Sequence, residues 1–189
     1  MSLATQWTLS FGHLLPIGHL LRHELTSSRW LRIHSLPDSK RYPETEVEYM
    51  EVLRRHNAVA AEVLGRGASC SLIVSRHVVA AETINWRDES KLLGYKLEPT
   101  PVWGRPPCDN DGFYEFAVST VVWTSGAFDH LIRAVADDRE SNLVFFSQIT
   151  DEVYAPYDGG ADLFVRNTPR RHQLRDRWSR WLSSRRDGL

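Results

Sequence analysis

A histidine, a carboxylate and two cations fall within one short run: His34, Asp38, Lys40 and Arg41 in His34-Ser35-Leu36-Pro37-Asp38-Ser39-Lys40-Arg41-Tyr42-Pro43. Far along the chain, Tyr157, Asp158 and Asp162 flank a glycine pair. If folding joins the two sets in one cleft, His34, Asp38, Asp158 and Asp162 are the proton-transfer candidates, and Lys40, Arg41 and Tyr157 the contacts for an anionic substrate. Each residue also has a plainer job. Pro37 and Asp38 suit a turn, and Pro43 suits the start of a helix whose dipole Glu44 and Glu46 complement.

Arg170 and Arg171 form a third set. From Arg166 to Arg186 the chain holds eight arginines and the single acid Asp176, a net +7 against −8 for the remainder of a chain whose total is −1. Phosphate contacts from these arginines, with Trp178 or Trp181 stacking on bases, describe a nucleic-acid surface. The plainer account makes Leu174, Trp178, Trp181 and Leu182 an apolar stripe and pairs the arginines with acids.

His19 and His23 stand one helical turn apart, but Leu20 follows the first where a metalloprotease pattern needs Glu, and no third ligand is specified. Asp109-Asn110-Asp111-Gly112 lacks the later bidentate Glu of a calcium loop and reads as a turn. The expectation is therefore no metal and no cofactor. Cys70 and Cys108 form no CxxC pair, which fits a reducing cytoplasm. The apolar runs of the N-terminus are broken by His13, Pro16 and His19, so neither a signal peptide nor a membrane span is expected.

The positioning elements follow from periodicity. Trp30-Leu31-Arg32-Ile33-His34 alternates as a half-buried strand, and a short helix over 17–25 precedes it. Pro43 to Leu64 reads as a helix with Tyr49, Val52, Leu53, Ala60, Val63 and Leu64 as its buried stripe, Glu44, Glu48, Glu51, Arg55 and Glu62 opposite, and His56 as a hydrogen-bonded core histidine. Strands are expected over 69–79 and 112–123, the second central. A helix capped by Ser125 should run to Asp138, burying Phe128, Leu131, Ile132 and Val135. Three short strands end the sheet, at 143–146, 152–157 and 161–165, the last two joined at Asp158-Gly159-Gly160, where glycine allows positive φ. Thr168 then caps a helix with Pro169 at its first position. Short turns between consecutive strands give an antiparallel sheet with helices packed on one face, a two-layer α+β sandwich: one domain over 29–189, preceded by an N-terminal helical segment over 1–28.

The run Arg32-Ile33-His34-Ser35-Leu36-Pro37-Asp38-Ser39-Lys40-Arg41-Tyr42-Pro43-Glu44, the later Arg54-Arg55-His56-Asn57 and Tyr157-Asp158-Gly159-Gly160-Ala161-Asp162-Leu163 resemble a family of small bacterial proteins of unknown function, over about residues 29–184. The aromatic-Asp-Gly-Gly turn is also similar to turns in immunity-type proteins that neutralise toxins. The resemblance implies a bacterial cytoplasmic protein and brings no activity with it. With no nucleotide loop and no activated nucleophile, but seven tryptophans and six tyrosines of the kind that anchor interfaces, the leading expectation is a non-catalytic module that binds another protein, toxin-neutralising or regulatory. An acid-base enzyme acting between the His34–Arg41 loop and the Tyr157–Asp162 hairpin is the alternative. Nucleic-acid binding through the C-terminal helix is the third reading.

Overall fold

Eight strands pair into one antiparallel sheet because nearly every β-branched or aromatic run finds its neighbour through a short turn or a helix. The computed structural model describes residues 1–25, 28–79, 82–108 and 112–183. The strands are β1 (Trp30–His34), β2 (Ser69–Val79), β3 (Glu98–Pro99), β4 (Pro107–Cys108), β5 (Gly112–Val122), β6 (Leu143–Ser147), β7 (Glu152–Tyr157) and β8 (Gly160–Phe164). Their order is β1-β8-β7-β6-β2-β5-β3, with β4 also on β5. The fold is α+β, as expected. β5 lies inside the sheet but next to its short edge strands, and β2 and β6 are nearer the middle. The Asp109–Asp111 turn falls outside the described residues.

Helices α3 (Glu46–Leu64), α4 (Trp86–Leu93), α5 (Asp129–Ala136) and α6 (Thr168–Arg177) occupy one face of the sheet. There Leu72, Val74, Leu143, Phe145, Tyr154 and Leu163 meet Val52, Val59, Ala60, Val63, Ile132, Val135 and Leu174. The opposite face is not left to solvent. Ile73, Phe116, Val144, Phe146, Val153, Ala155 and Phe164, on the other face of the sheet, are covered by Trp7 and Phe11 of α1 (Leu3–Phe11), by Leu21 of α2 (Gly18–Glu24) and by Ile17, the residue that precedes α2. The N-terminal segment thus adds a third layer to the expected two. Each of these four side chains is fully buried and contributes about 1.5–3 kcal/mol by leaving water.

Three helix starts are displaced from expectation. The first helix turn of α3 lies beyond Pro43, because Thr45 is the N-cap and Glu48 closes a reciprocal capping box. Helix α5 begins at Asp129 after a run of turns, with no side-chain cap. Helix α6 is capped by Asn167, whose side chain accepts from the Arg170 N–H, so Pro169 occupies the second helical position. Helix α6 also stops at Arg177; Trp181 lies in a 3-10 turn (Ser179–Trp181) and stacks on Trp178 at 4.3 Å between ring centroids.

Arg55 is not on the solvent side of α3. It is buried, donates through Nη1 to the His34 carbonyl at 3.0 Å and pairs through Nε with Glu51 at 2.5 Å. His56 is the core histidine its place in the stripe implied. It bonds Ser35 Oγ at 2.7 Å through Nε2 and the Tyr154 hydroxyl at 2.6 Å through Nδ1.

The two-residue turn Asp158-Gly159 joins β7 to β8, yet neither Gly159 nor Gly160 has positive φ. At Gly160 glycine is required for space, whereas Gly159 is crowded only by side chains. A Cβ on Gly160 would lie 1.9 Å from the Ile33 carbonyl oxygen of β1, and one on Gly159 would lie 2.9 Å from the Tyr157 ring. The hairpin can therefore pair closely alongside the strand that carries His34.

Candidate functional site

Strand pairing decides which of the chemical residues meet. On β1, Arg32 is opposite Asp162 and His34 is opposite Gly160 of β8. Alternation puts Arg32 and His34 on one face of the strand, and side chains diagonal across a pair stand roughly 7–8 Å apart. That face, bordered by α2 and by the loops at 39–41 and 138–142, forms a cleft of about 650 Å³. His34, Arg41, Tyr157, Asp158 and Asp162 all line it, with Arg22 and His19 of α2. The two distant sequence motifs are joined.

The remaining candidates lie elsewhere. Lys40 turns away to pair with Glu44 at 2.9 Å and Glu48 at 2.6 Å. Asp38, in the left-handed conformation with Ser39, borders a smaller groove on the other side of His34 with Arg55 and Arg180. Arg170 is enclosed between the fully buried Glu152 (3.1 Å) and Glu62 (3.0 Å), and Arg171 donates to the Trp30 carbonyl at 2.8 Å. Both tie α6 to the sheet.

Within the cleft both carboxylates are engaged. Asp162, 4% exposed, receives a two-pronged bond from Arg32 (Nε to Oδ1 and Nη2 to Oδ2, each 2.8 Å) and a third from Trp30 Nε1 at 2.9 Å. Asp158 accepts from Arg41 at 2.7 Å and from the Tyr42 hydroxyl at 3.0 Å. Carboxylates so engaged already have their oxygens occupied by donors from the protein itself. Their work is to hold Arg32 flat over the Tyr157 ring, 4.3 Å from its centroid, and Arg41 across the turn.

The groups left open are donors or switchable. His34 Nε2 is buried and has no hydrogen-bond partner among the described residues. Desolvation, with the Arg32 and Arg55 charges, lowers the His34 pKa against a smaller opposing effect of Asp162, so the ring is neutral at pH 7. Burial raises the Tyr157 pKa, keeping its hydroxyl protonated, and among the described residues that hydroxyl makes no hydrogen bond. Arg22, close enough to Tyr157 and His19 to act on both charges, has no carboxylate partner among the described residues. His19 is likewise shifted down, by burial first and then by Arg22 and His23. Neither it nor any other group of three or more His, Cys, Asp or Glu side chains among the described residues could hold a metal.

Arg22, Arg32 and Trp30 were not among the expected site residues. Arg32 and Trp30 had a legible signal, since period-two alternation puts them on His34's face. Arg22 had none, because nothing local shows that α2 folds back over the sheet.

Residues 17–186 match the model of a family described as a domain of unknown function, DUF3885, and the chain belongs to that family. The matched region begins earlier than the resemblance over 29–184 and takes in α2, the helix that supplies Arg22 to the cleft. No curated protein and no solved structure matches the chain. Among the described residues no helix is long and apolar enough to cross a membrane.

Proposed function

We propose that this DUF3885 chain works through the cleft beneath α2, where it binds a small ligand bearing an anionic group. The observation that carries the reading is the asymmetry of the lining. Asp158 and Asp162 are engaged by donors, whereas among the described residues Arg22 and the Tyr157 hydroxyl, which line the cleft, and the buried His34 Nε2 have no partner. An oxyanion satisfies what such a set leaves open, and a buried polar group without a partner is costly enough to need an explanation.

A module that binds another protein, toxin-neutralising or regulatory, was the expectation drawn from aromatic content. That support is weakened by where the aromatics sit. Trp7, Trp86 and Trp123 are buried, the other four tryptophans are half-buried, and Tyr42 alone among the large aromatics is exposed, at 45%. The nucleic-acid reading keeps fewer cations than its sequence suggested, with Arg170, Arg171 and Arg177 engaged in the fold and Arg175 and Arg180 exposed.

Acid-base catalysis remains a second reading on one observation. His34, whose pKa is lowered, and the protonated Tyr157 hydroxyl line the same cleft, a candidate base and a candidate proton donor in one site. In it His34 takes the proton that the expected carboxylates, held by arginine, do not.

The binding reading is tested by following the His34 ring by NMR during titration with acetate and with inorganic phosphate. A saturable shift, accompanied by a rise in the His34 pKa and weakened by Arg22→Ala or Tyr157→Phe, is expected. No saturable change with either probe overturns it. Under the catalytic reading, His34→Gln abolishes proton transfer and lowers anion affinity less than Arg22→Ala does.

A further inference from the structure

The charges of the cleft do not cancel locally. Three cations line it, Arg22, Arg32 and Arg41, against four acids, Asp138, Glu140, Asp158 and Asp162. Arg32 is matched by Asp162, Arg41 by Asp158, and Glu140 by Arg76 at 2.9 Å from outside the cleft. Two charges are left over, one of each sign. Among the described residues neither Arg22 nor Asp138 makes an ion pair or a side-chain hydrogen bond.

They also stand at different ends. Arg22 acts on Tyr157 and His19, whereas Asp138 acts on Arg41 and Tyr42. Gly159 lies close to the Tyr157 ring and to Arg41 alike: a Cβ on it would come within 2.9 Å of the one and 3.4 Å of the other's Cγ. The cleft is therefore bipolar: a basic group on α2 that acts on Tyr157, and an acidic one in the turn after α5 that acts on Arg41 and Tyr42. Its volume, about 650 Å³, lies within the range of small-molecule sites, roughly 300–1,000 Å³.

We infer that the ligand is a small zwitterion of the amino-acid or short-peptide type, its carboxylate held by Arg22 and Tyr157 and its ammonium facing Asp138. The inference rests on the cleft being the binding site and adds the second charge. A simple anion fills the basic end alone and leaves Asp138 uncompensated; a zwitterion answers both residual charges. Specificity then comes from the pairing of opposite charges across a fixed span, since a ligand reversed end for end meets like charge at both ends.

The test uses the full chain and three series of probes: free amino acids and diglycine, their N-acetyl derivatives and their C-terminal amides. The His34 resonance and the thermal midpoint are the readouts. Free zwitterions should bind more tightly than either blocked form. Asp138→Asn should reduce that binding by about fivefold, the scale of one partly exposed ion pair, and leave the N-acetyl forms unaffected. Arg22→Gln should remove the preference over the amides instead. Asp138 is exposed in a turn and carries none of the core, so its variant should fold as the wild type does. If N-acetyl and free forms bind alike, or Asp138→Asn changes both equally, the zwitterion is wrong while the anion site stands. If no member of the three series nor acetate or phosphate shifts His34, the site itself is wrong.

Discussion

Replacing Gly160 by alanine separates two explanations of the hairpin. Neither Gly159 nor Gly160 uses the left-handed conformation that usually demands glycine in such a turn. On backbone grounds alone, Gly160→Ala should stabilise by roughly 0.4–1 kcal/mol, through a less flexible unfolded chain. Space argues the opposite. The new Cβ would stand 1.9 Å from the Ile33 carbonyl oxygen, where real Cβ atoms essentially never come below 3.0 Å. The obstacle is backbone, which no rotamer change can move. Strands β1 and β8 must part by about 1 Å, enough to stretch the nearest ladder bonds beyond useful length. One of the bonds at risk is from the Ser35 N–H to the Gly159 carbonyl, now 3.0 Å. Two or three lost bonds at about 1 kcal/mol each, with the overpacking strain, give a net loss of about 3 kcal/mol. Gly159→Ala is the control. Its Cβ meets the Tyr157 ring and the flexible Arg41 side chain, so it should cost under about 1 kcal/mol. Urea unfolding of the two variants, followed by tryptophan fluorescence, reads the difference. A Gly160→Ala protein as stable as wild type would refute the argument from space, and with it the close seat of His34 beside the hairpin.

Other expectations follow from buried charge and buried thiol. His56 has its pKa lowered to about 4 from 6.5, chiefly by burial. The unfolded chain therefore takes up a proton that the folded chain refuses: stability is full above about pH 6.5 and falls as pH drops toward 4, by up to about 3 kcal/mol. Urea midpoints at pH 7 and pH 5 should show that loss, and a midpoint unchanged over this interval would contradict it. Arg170→Ala strands Glu152, whose pKa desolvation already raises, and should cost about 3–5 kcal/mol at neutral pH. The deficit relative to wild type should shrink in acid, where Glu152 takes a proton, and Glu152→Gln added to the variant should recover most of it; no recovery in that double-mutant cycle counts against the buried pair. Cys70 is buried, with burial pushing its pKa up to about 12, while Cys108 is half-buried. A thiol reagent should label one equivalent in the native protein and two in denaturant, and two fast equivalents under native conditions would show Cys70 to be accessible.

Local sequence carried the elements, and distant packing carried the site. The alternation at Trp30–His34 and the β-branched run at Ser69–Val79 were enough to place two strands, because the period-two signal depends only on neighbours. Displaced boundaries occurred where two capping residues compete: Thr45 over Pro43, and Asn167 over Thr168. Arg55 was misplaced for a different reason. A charged residue is assigned to solvent by type, but here the His34 carbonyl and Glu51 supply the partners that allow it to be buried.

The cleft shows the same limit at larger scale. His34 and Asp162 could be suspected of meeting because both sit in strand-and-turn motifs, and the β1–β8 register does bring them together. Whether a carboxylate is free or engaged, however, depends on residues that no motif names. Trp30 and Arg32 occupy both oxygens of Asp162, and this moves the expected chemistry away from the aspartates to His34. Arg22 arrives only because Ile17 and Leu21 bury against the second face of the sheet and hold α2 over Ala155. The helix that looked like an appendage in the sequence therefore fixes the charge of the site, so a variant that loosens α2, such as Leu21→Ala, should weaken ligand binding as well as stability, although Leu21 itself does not line the cleft.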